Sequence, residues 1–209
     1  MHAFSRTVSG HASPVRPAQL REQPQAVSFH AAGSEIYGQG ERAKCLYQVE
    51  FGAVRVYRLL ADGRRQISAF YLAGETFGFE ADAVHHFFAD ALVATGIRII
   101  RPSATDMAAQ LLPLALRSLT RAQEHLLVLG RQSAVERVAA FLLDLAERQG
   151  GFDHVDIPMS RIDIGDYLGL TIETVSRAFS RLKQDRIIRL LSSRSVEIVR
   201  RKTLSDMSE

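Results

Sequence analysis

The sequence predicts an α+β chain in which a β-sandwich or barrel precedes long helices and a small domain with a helix-turn-helix. Three observations support this fold class. Between about residues 26 and 101, apolar residues alternate with a period of two and glycines are frequent. From about residue 104 to 149, the apolar period becomes that of a helix. Between Ser160 and Asp185, two short capped helices flank a glycine turn.

The composition is that of a globular protein of one or two domains, with 209 residues of which 46% are apolar. Cys45 is the sole cysteine, so no intramolecular disulfide can form and we expect a reducing, cytoplasmic location. The sequence has no run of about 18 apolar residues, so we expect no membrane partner. Residues 1–25 contain Pro14, Pro17 and Pro24 and lack a signal-peptide core. We predict a flexible arm there, with a transit peptide as the weaker alternative.

Six segments before residue 102 have the alternation and turn punctuation of strands. They are Val27–His30, Cys45–Glu50, Ala53–Leu59, Gln66–Tyr71, Phe88–Ala94 and Ile97–Arg101. Asp62–Gly63 lies between two of them and is a strong hairpin signal. Many short strands separated by glycine turns predict a closed or two-layered β-domain.

Helices are predicted after Pro102, which ends the strands. We expect a short helix over Ala104–Leu112 and a longer one from Pro113 to about Arg131, because proline is tolerated in a first helical turn. Six residues of this region are spaced alternately four and three apart, which is the spacing of an a/d seam. They are Leu112, Leu116, Leu119, Gln123, Leu126 and Gly130. The seam can pack against the chain's own β-domain or against a second copy.

The helix-turn-helix follows another amphipathic helix, Ala134–Gln149. Ser160 is a favourable N-cap, and Asp163 three residues later forms a pair resembling a capping box. Gly169 stands where a left-handed C-cap residue belongs, and Thr171 is the next N-cap. Two short helices joined by a tight turn are therefore predicted.

The second of these helices has two distinct faces. Its apolar stripe is Ile172, Val175, Phe179 and Leu182, and its polar stripe is Glu173, Ser176, Arg177 and Ser180. A recognition helix needs this division, because its back packs on the first helix while its N-terminal residues reach base edges in the major groove. An arginine can bond guanine twice, and a carboxylate can accept from the cytosine amino group. The alternative is an amphipathic surface helix with a solvated face.

Basic residues concentrate around this helix. Between residues 171 and 189 there are five basic and two acidic side chains, an excess equal to the +3 charge of the whole chain. Such a concentration suits phosphate contacts. Ile187–Leu190 and Val196–Val199 then alternate around a turn, which predicts a β-hairpin wing with Arg194 near the sugar-phosphate backbone. Arg194 as an ordinary solvated turn residue is the alternative.

Two strings resemble the Crp/Fnr superfamily of transcription regulators. DIGDYLGLTIETVSRAFSRLK is similar to its helix-turn-helix, and the Glu173, Ser176 and Arg177 element resembles the Fnr and FixK branch. GAVRVYRLLADGRRQISAFYLAGETFGFE resembles its cyclic-nucleotide-binding-like β-roll. The resemblance covers about residues 25 to 200. After the arm predicted from composition (1–25), it implies a β-roll (26–103), a long dimerisation helix (104–132) and a C-terminal winged helix-turn-helix (133–209).

The resemblance implies a homodimer that binds double-stranded DNA at a palindrome like TTGAT-N4-ATCAA. Arg177 would bond the half-site guanine, Glu173 the paired cytosine, and Ser176 a neighbouring base. The remaining helix contacts would be to phosphate and sugar, from Thr171, Thr174, Ser180 and Arg181. It also implies contact with RNA polymerase and control of genes for microaerobic respiration and nitrogen fixation.

The sequence departs from the sensor patterns of that superfamily. Cys45 alone cannot hold an iron–sulfur cluster. The Gly74–Glu75 turn is present, but the Arg-Ser pair that would meet a cyclic phosphate is absent from the segment beginning at His85. We predict that His85 and His86 are a solvent-facing loop pair and that Cys45 is a small buried thiol. We therefore expect no cofactor and no metal, which matches the FixK subgroup of the superfamily. The string RQSAVERVAAFLLDLAERQGG also resembles that subgroup.

Two other classes of function stay open. One is a ligand-gated regulator with a small-molecule or haem effector in the β-roll. The other is a protein-interaction module with a degenerate helix-turn-helix. The sequence has no recognisable nucleophile–base arrangement, P-loop or zinc spacing, so we do not expect an enzyme.

Overall fold

The architecture is α+β, as predicted, in a computed structural model that describes residues 26–101, 107–131 and 133–208. The first eight strands are β1 (Val27–His30), β2 (Glu35–Tyr37), β3 (Leu46–Phe51), β4 (Ala53–Leu59), β5 (Arg65–Leu72), β6 (Thr76–Phe77), β7 (Phe88–Ala91) and β8 (Thr95–Ile100). The remaining elements are α1 (Met107–Leu129), α2 (Ala134–Arg148), β9 (His154–Asp156), α3 (Arg161–Leu168), α4 (Ile172–Gln184), β10 (Ile188–Leu190), β11 (Ser195–Ile198) and α5 (Arg201–Asp206). The predicted arm and the predicted helix start at Ala104 lie outside the described residues.

The eight N-terminal strands form two antiparallel four-stranded sheets, in the orders β1-β8-β3-β6 and β2-β7-β4-β5. We call this unit the roll. Its core draws side chains from both sheets, namely Tyr37, Val49, Val54, Val56, Phe77, Ala89 and Ile97. Because both sheets contribute to one cluster, their inner faces pack against each other.

The roll and the C-terminal domain share a second core. Ala53, Ile67 and Phe70 of β4 and β5 belong to the same buried cluster as Leu142 of α2 and Leu168 of α3. The winged domain therefore packs directly on the outer side of β5, so that α3 and its partner helix have a fixed position against the roll. Strands β10, β11 and β9 form a three-stranded sheet beside these helices.

The prediction of two helices around Pro113 is wrong, because α1 runs without interruption from Met107 to Leu129 with Pro113 inside it. A proline in a helix removes one hydrogen bond. Ending the helix and starting another would instead leave several backbone groups unpaired at each new end. None of the helices in the described ranges is long and apolar enough to span a membrane.

The six predicted strands are present; β1 and β4 have the predicted ends, and the other four differ by one to three residues at one or both ends. The sequence did not indicate β2, β6 and β9, which have two or three residues each, or the helix α5. The prediction for His85 is wrong, because its side chain is buried, stacks on Tyr37 with ring centroids 3.7 Å apart, and bonds Glu80. Cys45 is half-buried rather than buried.

Candidate nucleic-acid interface

The first helix of the motif begins and ends as the sequence predicts. The Oγ of Ser160 accepts from the amide of Asp163 at 3.1 Å, and the carboxylate of Asp163 accepts from the amide of Ser160 at 3.0 Å. This is a complete capping box. Gly169 ends the helix with φ 65° and ψ 40°, in the left-handed region that glycine adopts at low cost.

The second helix, α4, begins three residues later. Its N-cap Thr171 accepts from the amide of Thr174 at 3.3 Å. Val175, Phe179 and Leu182 are buried as predicted, whereas Ile172 is 40% exposed. The prediction for Ile172 is wrong, because this first residue of α4 keeps a large part of its surface in solvent.

The two helices are also joined by a cation–π contact. The guanidinium carbon of Arg161 lies 3.3 Å from the ring centroid of Phe179. Burial lowers the pKa of Arg161 to about 10. Because this pKa is well above neutral pH, the guanidinium stays charged and the cation–π contact is present at neutral pH.

The residues predicted to read bases lie together on the exposed side of α4. Glu173, Ser176 and Arg177 are all exposed, and they begin in the first turn of the helix. The Nη2 atom of Arg177 donates to Oγ1 of Thr174 at 3.2 Å. This bond holds the guanidinium near the first turn of α4. The amide of Glu173 itself, then Thr171 and Arg177, hold the pKa of the Glu173 carboxyl below its usual value. A charged acceptor and a charged fork-shaped donor are thus side by side.

The predicted backbone-contacting residues surround this face. Thr171, Ser180 and Arg181 are exposed, and Thr174 is half-buried. The Nε of Arg181 donates to the carboxylate of Asp185 at 2.7 Å, so this side chain already has an acidic partner within the chain. A phosphate contact from Arg181 would therefore require this ion pair with Asp185 to open.

The wing has the predicted hairpin form. Strands β10 and β11 pair antiparallel, with Arg189 opposite Glu197 and an ion pair of 2.7 Å between them. Arg194 lies exposed in the turn that joins the two strands. The turn places Arg194 on the same domain as α4 but on a separate element, so its contact with DNA stays a prediction.

The predicted seam of α1 is exposed in the single chain. Leu112, Leu116, Leu119 and Leu126 expose 52–66% of their surface, and Gln123 and Gly130 are exposed too. Four leucines on one side of a helix form a contiguous apolar stripe, which a lone soluble chain rarely presents to water. The opposite side of α1 faces the body of the protein, where Arg121 bonds Glu75 of the roll at 2.9 Å.

The sequence did not indicate which side chains hold α3 in place. The carboxylate of Asp163 bonds Arg55 of β4 and Arg65 of β5 in addition to capping its own helix. These pairs join residues 108 and 98 positions apart. No local pattern could have revealed them, because strand alternation shows which face a residue takes but not its distant partner.

Comparisons with known proteins agree with this geometry. Residues 136–207 match the Crp-like helix-turn-helix domain, and residues 28–110 match the cyclic nucleotide-binding domain. The chain is 52% identical over 185 residues to the nitrogen fixation regulation protein FixK of Rhizobium meliloti, with 88% of each chain covered. The chain belongs to the Crp/Fnr family of transcription regulators. This confirms the resemblance found in the sequence.

Other members of the Crp/Fnr family support the same assignment. The FixK protein of Azorhizobium caulinodans is 43% identical, over 87% of this chain and 78% of its own. The structure of FixK2 from Bradyrhizobium japonicum superposes with a TM-score of 0.82 at 41% identity, covering 88% of this chain and 97% of that one. A CRP-family regulator from Thermus thermophilus gives a TM-score of 0.72 at 28% identity, over 87% and 96%. This Crp/Fnr protein is a FixK-type regulator whose helix-turn-helix binds DNA.

Proposed function

We propose that this regulator binds as a homodimer to a palindrome like TTGAT-N4-ATCAA and activates transcription from it. Arg177 donates to the half-site guanine, Glu173 accepts from the paired cytosine, and Ser176 contacts a neighbouring base. Thr171, Thr174, Ser180, Arg181 and Arg194 contact phosphate and sugar and fix the register of the helix. We retain the division into an arm, a roll, a dimerisation helix and a winged domain at the boundaries predicted from the sequence.

Dimerisation is supported by the exposed leucines of α1. Two parallel copies of α1 can bury them as a coiled-coil seam, in which Gln123 and Gly130 contribute a polar and a small position. A two-fold dimer then presents two α4 helices about 34 Å apart, which matches successive major grooves. A palindromic site is the sequence counterpart of this symmetry.

The genes that the regulator controls are inferred from its relatives. Several of them are named nitrogen fixation regulation proteins. We propose that this protein likewise controls genes of nitrogen fixation and microaerobic respiration, by contacting RNA polymerase beside its site. No catalytic step and no bound cofactor enter this proposal.

The observation that carries the proposal is that Arg177 and Glu173 are both exposed and lie one turn apart near the N-terminus of α4. Sedimentation of the purified protein with duplexes tests it. A full palindrome should form a complex of two chains per duplex, and a scrambled duplex should form none at the same concentration. One chain per palindrome, or equal binding of both duplexes, would contradict the proposal.

A second candidate function is ligand-gated regulation, which one cavity favours. A space of about 460 Å³ lies between β5, α1 and α2, with Tyr167 of α3 in its wall. A ligand there would touch the roll and the DNA-binding domain together. Native mass spectrometry of freshly purified protein tests this candidate, since a stoichiometric adduct that is lost on denaturation would support it.

A further inference from the structure

The N-terminus of α3 is anchored to the roll through one buried carboxylate. Oδ1 of Asp163 accepts from Nη1 of Arg55 at 2.9 Å and from Nη2 of Arg65 at 2.7 Å. The Asp163 side chain is 5% exposed, and the two arginine side chains are 19% and 22% exposed. Pairs shielded to this degree are screened far less by salt than surface pairs are. We call Asp163, Arg55 and Arg65 the α3 anchor.

Each arginine of the α3 anchor uses both arms of its guanidinium. Arg55 also donates from Nε and Nη2 to Asp90 of β7, at 3.2 and 2.8 Å. Arg65 also donates from Nε to Asp166, one turn further along α3, at 2.9 Å. A guanidinium holds two carboxylates in a fixed plane, whereas a lysine ammonium is a point charge on a flexible stem. The anchor therefore constrains orientation as well as distance.

The C-terminus of α3 is held from the other side. Nη1 of Arg137 in α2 donates to the carbonyl of Leu168 at 3.1 Å. Nε and Nη2 of the same side chain donate to the carbonyl of Arg131, just beyond the end of α1, at 3.0 and 2.9 Å. Arg137 therefore ties the last turn of α3 to the end of the helix that carries the seam.

The position of α4 follows from these two contacts. Helix α4 leaves α3 through the short turn at Gly169 and is packed on it by Arg161 and Phe179. With both ends of α3 fixed, the direction of α4 is set relative to the roll and to α1. In a dimer joined through α1, this direction determines the separation and the relative rotation of the two recognition helices.

We propose that Arg55 and Arg65 are positioning residues that set the half-site spacing this regulator accepts. They touch no base, and they act by holding α3 through Asp163. Inserting one base pair between two half-sites rotates one half-site by about a tenth of a helical turn relative to the other. A dimer with fixed recognition helices rejects such a site, while a dimer with loosened helices tolerates it. The inference rests on the proposed binding of a palindrome by a dimer.

The test compares spacing preference with base preference in the full-length protein. The principal variant is Arg55→Lys with Arg65→Lys, which keeps both charges and the capping box of α3 but lacks the planar fork that fixes the geometry of the carboxylates. Arg65→Gln serves as a second variant. Arg64→Lys is the matched control, because Arg64 is adjacent in the same hairpin, 77% exposed, and paired only with Asp62 among the contacts the structure describes. Fluorescence anisotropy measures binding to palindromes with spacers of three, four and five base pairs, and to one with the half-site guanine replaced.

We expect the preference of the double variant for the four-base-pair spacer over the other spacers to be about tenfold weaker than that of the wild type. Substitutions that touch neither ligand can change the coupling between two sites by this amount. Its preference for the intact half-site should stay within about twofold of wild type, because Arg177 and Glu173 are unchanged. A folded double variant with wild-type spacing preference, or an equal loss in the Arg64 control, would overturn the inference. A wild-type protein that prefers the palindrome but ignores spacing would also overturn it, whereas failure to prefer the palindrome over scrambled DNA would refute the proposed function itself.

Discussion

The imidazole ring of His125 in α1 stacks on the phenol ring of Tyr167 in α3, with centroids 3.8 Å apart and planes 8° apart. The ring centroid of Tyr167 also lies 4.9 Å from that of Phe70 in the roll and 6.0 Å from that of Phe141 in α2. Four rings from four elements thus meet where the seam helix, the roll and the DNA-binding domain join. Changes at this cluster should affect all three parts together.

Acid should weaken the protein through His125. Burial lowers the pKa of this side chain to about 4, and a weaker attraction to Asp144 opposes the shift. The unfolded chain, with a histidine pKa near 6.5, then binds more protons than the folded chain between about pH 6.5 and 4. The free energy of unfolding should therefore be highest above pH 6.5 and fall as pH drops towards 4. Its slope should be below the limit of about 1.4 kcal/mol per pH unit for one proton, because solvent reaches part of the ring.

Urea denaturation of His125→Phe across this pH range checks the expectation. Phenylalanine keeps the stacking surface but does not titrate, so the dependence between pH 6.5 and 4 should flatten. His154→Asn is the matched control, since His154 is 59% exposed and contacts Asp156 at the surface. If the free energy of unfolding of His125→Phe still fell steeply between pH 6.5 and 4, groups other than His125 would be responsible for the pH dependence.

Arg177→Lys should remove base discrimination while preserving general affinity for DNA. Lysine keeps the positive charge but loses the two parallel donors that meet guanine. We expect discrimination at that base pair to fall by about 1–3 kcal/mol per half-site. Arg177→Ala should lose the same discrimination and also reduce the salt dependence of binding, because it removes a positive charge at the DNA surface. Anisotropy titrations at several salt concentrations separate the two effects, and full discrimination in Arg177→Lys would contradict the assignment.

A methyl group should be tolerated better at Gly169, in the turn between α3 and α4, than at Gly165, which lies inside α3. A Cβ on Gly165 would lie 2.6 Å from the carbonyl oxygen of Leu170, a backbone atom that can move only with the turn. Gly165→Ala should cost about 1–3 kcal/mol of stability and weaken DNA binding, because displacing Leu170 displaces the start of α4. A Cβ on Gly169 meets nothing closer than 3.8 Å, so Gly169→Ala should cost only the left-handed backbone penalty of about 1 kcal/mol. Thermal unfolding measures the stability of both variants, and fluorescence anisotropy measures their DNA binding. Equal losses in the two variants would contradict the steric clash between Gly165 and Leu170.

Leu119→Glu should dissociate the dimer. Each leucine buried in a seam contributes about 1.5–3 kcal/mol, and a two-fold interface loses this contribution twice. Leu59→Glu is the control, because Leu59 lies on the roll hairpin and is 53% exposed, compared with 55% for Leu119. Analytical ultracentrifugation should show a weaker dimer only for the first variant. A dimer that withstands Leu119→Glu would place the interface elsewhere.

The helix-turn-helix could be predicted from sequence because its determinants are local. The capping box at Ser160, the left-handed Gly169 and the Thr171 cap are each set by residues within a few positions. The long strands were also predictable, because alternation persists over six to eight residues. The exposed polar stripe of α4 required only helical geometry.

Features that depend on distant partners were not predictable. His85 is an ordinary loop residue by sequence, and it is buried because Tyr37, far away in the chain, stacks on it. The same applies to the bonds of Asp163 with the roll. Very short strands such as Thr76–Phe77 have no period of their own and exist because a neighbouring strand pairs with them. Pro113 differs from these cases, since it is a strong local helix breaker and α1 nevertheless continues through it.

The most direct measurement is the binding of the wild-type protein, in air and without added ligand, to a TTGAT-N4-ATCAA duplex and to a scrambled duplex. Fluorescence anisotropy at physiological salt should give a dissociation constant on the order of 10 nM for the palindrome and binding weaker by about a thousandfold or more for the scrambled sequence. That result would establish an effector-free regulator whose output follows its abundance. Weak and equal binding to both duplexes would contradict the account and direct attention to the cavity between β5, α1 and α2.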